Sequence, residues 1–347
     1  MIGLKSLQLL AWTFIAAAVL VAMDGAPAQT KIERLDPAVD QIIPATAILQ
    51  KVATGFSWTE GPIWIHSGYL LFSDTDRNKI HKLTADGGTS VFEEPTGSPA
   101  KVAVGDPQNG PNGLTLDRRG RLTAAGNCGR NVWRLESLTV QAPRTILADS
   151  YQGKKLNCPN DLIYRSDGSL YFTDPPYGMG KEDEDPAKEL KVNGVYRIPN
   201  ALNQKAGAAP DRAQLQLLIT DLPRPNGIAF SPDEHYLYVD NSEPKKFWMR
   251  YKVQTDGTLA DGKVFYDATS DPRPGYPDGI KIDTRGNLYS AGPGGVWIFT
   301  PEGKHLGTIV VPEMVGNLNW GGDGKTLYIT ASTSVYRIAL NARGIRP

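Results

Sequence analysis

The chain has 347 residues, enough for one large all-β unit or two ordinary domains, with 40% hydrophobic and 21% charged side chains, 36 glycines and 26 prolines. Lys and Arg together number 37, as do Asp and Glu, so the net charge is zero. Without a basic stripe, a nucleic-acid surface is excluded. Two cysteines, Cys128 and Cys158, are too few for a disulfide scaffold or a thiolate metal centre.

The first predicted element is a leader. Lys5 gives a positive start, Leu9 to Met23 is an almost unbroken apolar run, and Ala26-Pro27-Ala28 offers a small-x-small cleavage pattern. These predict an export signal over residues 1–28 and a mature chain over 29–347, periplasmic in a Gram-negative cell. The alternative, a membrane anchor, needs about 20 apolar residues, and this run is shorter. No later stretch approaches that length, so no membrane association is expected after cleavage.

Beyond the leader one phrase recurs: an acid or amide, usually followed by Gly, opening an apolar strand. Its copies begin Glu60-Gly61-Pro62, Asn112-Gly113-Leu114, Asn160-Asp161-Leu162, Asn226-Gly227-Ile228 and Asp278-Gly279-Ile280, with a degenerate sixth at Gly316-Asn317-Leu318. Each leads through a turn such as Asp117-Arg118-Arg119-Gly120 or Asp283-Thr284-Arg285-Gly286 into a second strand. Third strands are predicted at 79–83, 131–135, 194–198, 247–253, 295–299 and 334–338. Copies begin 52, 48, 66, 52 and 38 residues apart, near the ~40–50 residues of a four-stranded blade. The long interval holds a polar insertion over 179–192, whose acidic run Glu182 to Asp185 reads as a solvated loop, and an Ala/Gln-rich stretch over 200–214. The fold class is therefore all-β, a six-bladed β-propeller. Little chain remains after the sixth copy for a fourth strand, and residues 48–53 are expected to supply it and latch the ring.

If the acid or amide opens the innermost strand of each blade, all copies converge on the axis. Their identities, Glu60, Asn112, Asn160, Asn226 and Asp278, make a cluster of hard oxygen donors with no thiolate or imidazole in register. Such donors favour Ca²⁺, with Mg²⁺ or Mn²⁺ less suited and Zn²⁺ an opportunistic occupant. Read singly, Asn-Gly and Asp-Gly are turn dipeptides, but the hairpin turns already lie downstream. Loops after the second strands should rim the same mouth, making Asp174 and Tyr177 candidate substrate contacts, unless Asp174-Pro175-Pro176 only shapes a turn.

With Thr59-Glu60-Gly61-Pro62, Leu156-Asn157-Cys158-Pro159-Asn160-Asp161, Tyr171-Phe172-Thr173-Asp174-Pro175-Pro176-Tyr177-Gly178, Arg224-Pro225-Asn226-Gly227 and Pro277-Asp278-Gly279 in one order, nearly all of the mature chain resembles the gluconolactonase and regucalcin (senescence marker protein) family and, more distantly, diisopropylfluorophosphatase. The resemblance implies a catalytic divalent cation on Glu60, Asn226 and Asp278. Asn160 matches a position that binds the metal directly or reaches it through water or substrate, and Asn112 one that contacts substrate. The implied activity is hydrolysis of a small sugar-acid lactone by a monomer or weak oligomer. The four histidines lie outside the motifs, which leaves Asp278 as the expected general base. Where the family often carries Arg this chain has Cys158, and where many bacterial relatives carry His it has Asn127; both departures fall on the substrate side. Cys128 and Cys158 lie toward the pocket end of adjacent blades, where either a disulfide or two free thiols is open. Competing readings keep the site for other lactones or phosphotriesters, or make the ion structural in a binding propeller.

Overall fold

The computed structural model describes residues 30–96 and 110–345; the expected export signal lies outside them. Among the described residues six antiparallel sheets are blades, and a seventh is a two-stranded hairpin of Ser150–Tyr151 and Lys154–Lys155. Blade 1 comprises Thr59–Ile65, Tyr69–Asp74, Lys79–Thr84 and Thr89–Glu93. Blade 2 comprises Leu114–Leu116, Leu122–Ala125, Val132–Leu135 and Arg144–Ala148. Blade 3 is Leu162–Tyr164, Leu170–Asp174, Gly194–Ile198 and Gln216–Ile219. Blade 4 is Pro225–Phe230, Tyr236–Asn241, Phe247–Val253 and Leu259–Asp267. Blade 5 is Ile280–Ile282, Leu288–Gly292, Gly295–Phe299 and His305–Val310. Blade 6 is Val315–Gly321, Thr326–Ala331 and Ser334–Ala339.

The ring closes as expected. Gln50–Thr54 pairs with Ser334–Ala339 as the fourth strand of blade 6. Unforeseen in the repeat pattern is a fifth strand on blade 5, where Ile32–Arg34 pairs antiparallel with His305–Val310.

What holds the blades is visible in strand composition. A strand buried on both faces has no polar side, so its residues run continuously apolar. In Leu70-Leu71-Phe72, Leu71 faces blade 2 while Leu70 and Phe72 face blade 6. In Leu170-Tyr171-Phe172, Tyr171 packs toward blade 4 and its two neighbours toward blade 2. Side chains alternate faces along a strand, so one strand serves two interfaces. The six hydrophobic clusters accordingly lie one between each pair of adjacent blades. Val39, Ile42 and Ile43 from the N-terminal segment join the cluster between blades 5 and 6.

The acidic insertion differs from expectation. Glu182 and Asp183 both pair with Arg224, Glu182 at 2.7 Å, and Asp183 also accepts from Asn193 at 2.9 Å. The run clamps the segment entering blade 4 rather than standing free in solvent.

Candidate functional site

The recurring acid or amide does open the inner strands, and the copies converge at one mouth of the axial channel. A cavity of about 170 Å³ there is lined by Glu60, Asn112, Asn160, Asn226 and Asp278, with Trp58, Tyr177, Ser242, Glu243, Tyr276 and Met314 around them. Two larger recesses exist, about 800 Å³ on the outer rim between blades 6 and 1 and about 340 Å³ at the opposite channel mouth. Neither contains the recurring acid and amide side chains, so the smaller cavity is where chemistry is placed.

The glycine that follows each acid or amide has a packing reason. A Cβ on Gly113 would stand 2.5 Å from the Asp161 carboxylate, and one on Gly279 would stand 2.1 Å from the Asn317 amide. Inner strands of successive blades therefore approach too closely for a side chain there. In blades 3 and 6 that second position carries Asp161 and Asn317 instead of Gly, and their side chains meet across the axis, Asn317 Nδ2 donating to Asp161 Oδ2 at 3.5 Å. In blade 6 the first position is Gly316, whose Cβ would be 2.3 Å from Glu60 Oε1. The gap in the ring of inner-strand side chains is filled by the Glu60 carboxylate.

Residues outside the motif hold the donors in place. Ser73 Oγ donates to the Asn112 carbonyl at 2.7 Å and Thr173 Oγ1 to the Asn226 carbonyl at 2.8 Å, each hydroxyl coming from the preceding blade. Asn226 Nδ2 donates to Ser242 Oγ at 3.1 Å, and Ser242 Oγ donates to the Pro277 carbonyl at 2.8 Å, just before Asp278. The amide of Asn226 is thereby oriented, and its Oδ1 is buried with no partner; Asn112 Oδ1 and the Tyr177 hydroxyl are likewise buried and unpartnered.

Not every expected site residue reaches the cavity. Asp174 is wholly buried and does not line it. Its Oδ2 accepts from the Asn157 amide at 2.8 Å. Asp74 does the same for Ser57 and Trp58 at 3.1 and 3.2 Å, and Asn241 for Arg224 at 2.7 Å. The last residue of these second strands thus braces the segment entering an inner strand, two to three residues before Glu60, Asn160 and Asn226. Burial pushes Asp174 up to about 7, with the Asn157 amide bond opposing. Tyr177, by contrast, does line the cavity. No histidine among the described residues lines it; His81 stacks on Phe72 and His305 on Trp297. Cys128 and Cys158 carry thiols rather than a disulfide, and both sulfurs face Gly178.

The electrostatics are those of crowded acids. Burial, then the neighbouring Asp161, pushes Glu60 up to about 7. Asp278, partly open to the cavity, is raised by burial and by the charges of Glu60, Asp240 and Asp161. Among the described residues no three His, Cys, Asp or Glu side chains form a metal-holding group; the donors here are two carboxylates and amide oxygens. That set fits a hard divalent cation, because two mutually repelling carboxylates and the orphaned Asn226 Oδ1 face one space.

A six-bladed propeller with acids and amides converging from its inner strands defines the class of this protein. The sequence profile described as SMP-30/Gluconolactonase/LRE-like region matches residues 58–333, and the chain belongs to that family. It is 36% identical over 327 residues to a gluconolactonase of Zymomonas mobilis, covering 90% of this chain and 87% of that one. The solved gluconolactonase of Xanthomonas campestris superposes with a TM-score of 0.74 at 29% identity, over 91% of this chain and 96% of the other. A calcium-binding regucalcin of Agrobacterium tumefaciens, at 18% identity, TM-score 0.65 and 86% and 95% coverage, shares the fold.

Proposed function

We propose that this gluconolactonase-like lactonase opens the ring ester of sugar-acid lactones, using one divalent cation held by Glu60, Asn226 and Asp278, with Asn160 beside them. The observation that carries the reading is the convergence of these four side chains on a small cavity, in a chain 36% identical to a gluconolactonase along most of its length. At about 170 Å³ the cavity is smaller than the ~300 Å³ at which drug-sized sites begin, which suits a single small ring. Ca²⁺ is the ion that all-oxygen donors favour.

The chemistry such an ion supplies when bound is Lewis-acid polarisation of an ester carbonyl. The remaining tasks fall to the chain's own groups. Asp278 takes the proton of the attacking water while the carbonyl oxygen gains charge. As the ring C–O bond breaks, that proton passes from Asp278 to the departing ring oxygen, and a hydroxy acid is left. Asn112 Oδ1 accepts and the Tyr177 hydroxyl donates hydrogen bonds to ring hydroxyls, since both are buried without partners in the protein. Trp58, Tyr276 and Met314 at the cavity favour a second reading, lactones with apolar substituents on the same site.

The test is pH-stat hydrolysis of D-glucono-1,5-lactone and a panel of alkyl-substituted lactones, above the spontaneous rate, before and after EDTA and with Ca²⁺ restored. Turnover of the sugar-acid lactone, lost with EDTA and regained with Ca²⁺, is expected. Absence of hydrolysis across the panel overturns the proposed reaction, and activity indifferent to exhaustive chelation overturns the cation.

A further inference from the structure

Directly beneath the donors, the channel holds more acid than the site needs. Asp161 and Asp240 are 2% and 0% exposed, and their charges add to those that raise Asp278. Buried carboxylates without compensation destabilise a fold. Asp240 Oδ1 accepts from the Gly227 amide at 3.1 Å while its Oδ2 has no hydrogen-bond partner. The cation beside Asp161 is Lys281, at 3.8 Å, and its charge also opposes the rise in the Asp240 carboxyl that burial causes.

Lys281 sits between Ile280 and Ile282 on the inner strand of blade 5, three residues after Asp278. Its Nζ donates to the Ile280 carbonyl at 2.9 Å and to Asn317 Oδ1 at 3.4 Å, and lies 3.8 Å from Asp161 Oδ2. Asn317 completes the group, because its Nδ2 donates to Asp161 and its amide also stands beside the Glu60 carboxylate. The amide lies in the space a Cβ on Gly279 would fill, 2.1 Å from where that atom would stand, so the glycine is what admits Asn317 here. A charge on one blade is thus connected, through the Asn317 amide, to a carboxylate of the cavity.

We infer that Lys281 is the built-in counter-cation of the channel acids, a positioning residue that lets Asp161 and Asp240 stay buried beneath the site and limits how tightly Glu60 and Asp278 take their divalent ion. The inference rests on the cation reading above. Its sign separates it from ordinary structural support. A residue that merely packed would, on removal, loosen the donors and weaken the ion. A counter-cation, on removal, leaves the acid cluster more negative, so the ion-free protein is destabilised while the ion binds more strongly, since like charges no longer repel across a low-dielectric channel.

The experiment compares the full-length wild type with Lys281→Gln, Lys281→Arg, Asp161→Asn and the Asp161→Asn/Lys281→Gln double variant. Calorimetric titration with Ca²⁺ should give about tenfold tighter binding for Lys281→Gln and near wild-type binding for Lys281→Arg. In EDTA the melting temperature of Lys281→Gln should fall, and Asp161→Asn in the same chain should recover most of that loss, because the acid left without its partner has been removed. Unchanged or weaker Ca²⁺ binding by Lys281→Gln, with the wild type binding normally, overturns the inference and leaves the cation reading standing. A wild type that binds no Ca²⁺ overturns the cation reading and the affinity half of the inference. The EDTA arm then decides the counter-ion itself, and equal losses in the single and double Lys281→Gln variants overturn that.

Discussion

On the proposed cation site, Glu60 and Asp278 are where proton and metal compete for the same oxygens. In the ion-free protein burial and Asp161 raise Glu60 from 4.5 to about 7, so between those values the folded chain binds more protons than the unfolded one. Stability from this group is therefore fully present below about 4.5 and is lost as pH rises through 7. A divalent cation replaces the proton and reverses the penalty of ionisation. With EDTA, melting temperature should decline from pH 5 to pH 8; with saturating Ca²⁺ that decline should vanish, and Ca²⁺ affinity should itself rise across the same interval. A chelated protein whose melting is flat over this range argues that the carboxylates are not electrostatically crowded. The two acids separate by role under substitution. Asp278→Asn keeps an oxygen donor, so Ca²⁺ binding measured by calorimetry should persist, weakened, while turnover falls by about 10²–10⁴, the usual size of a general-base contribution. Turnover near the wild-type rate with Ca²⁺ bound would assign the base elsewhere.

At the scale of the strand, the phrase that identified the site turns out to be two instructions written side by side. The acid or amide points into the cavity, and the glycine after it clears room for the next inner strand. Gly316 shows both at once, for it takes the ligand position yet leaves its space to Glu60 Oε1, 2.3 Å from where a Cβ would sit. Gly316→Ala should therefore displace Glu60, weakening Ca²⁺ binding at least tenfold and costing about 1–3 kcal/mol in stability as an overpacked core does. Gly180→Ala is the control, since its Cβ would meet nothing nearer than 3.8 Å, and it should leave both unchanged. The donor register was legible because it repeats at blade spacing. The braces were not. Asp74, Asp174 and Asn241 recur at strand ends, but their partners lie sixteen or seventeen residues upstream, a relation that exists only once the strands have paired. Asp174 consequently read as a substrate contact. Lys281, between two isoleucines, carried no signal separating a channel cation from a solvent-facing lysine.

For the molecule as a whole, a propeller is stable only as a closed ring, because each blade buries both faces against neighbours. Blade number and closure were readable in advance from the shortage of chain after Gly316 and the spare strand before Glu60. The added strand Ile32–Arg34 was not, since three residues are too few to show a period. These two N-terminal strands differ in what depends on them. Ile32–Arg34 covers the outer edge of blade 5 and brings the Glu33–Arg273 pair at 2.6 Å, both side chains about a third exposed, an arrangement usually contributing under about 1 kcal/mol. Gln50–Thr54 closes the ring, and the segment between the strands buries Val39, Ile42 and Ile43 at 0%, 2% and 0% exposure. Each such side chain contributes about 1.5–3 kcal/mol on burial, and together they rival the ~5–15 kcal/mol that holds a typical domain folded. A chain shortened through Leu35 should thus melt within a few degrees of the longer one and keep its Ca²⁺ affinity. Shortening through Thr54 should abolish the cooperative transition and, by baring the edge of Ser334–Ala339, drive association visible by size-exclusion chromatography. If the second truncation melted cooperatively as a monomer with its donors still binding Ca²⁺, closure by this strand could not be what keeps Asp278 and Glu60 facing one another across the axis.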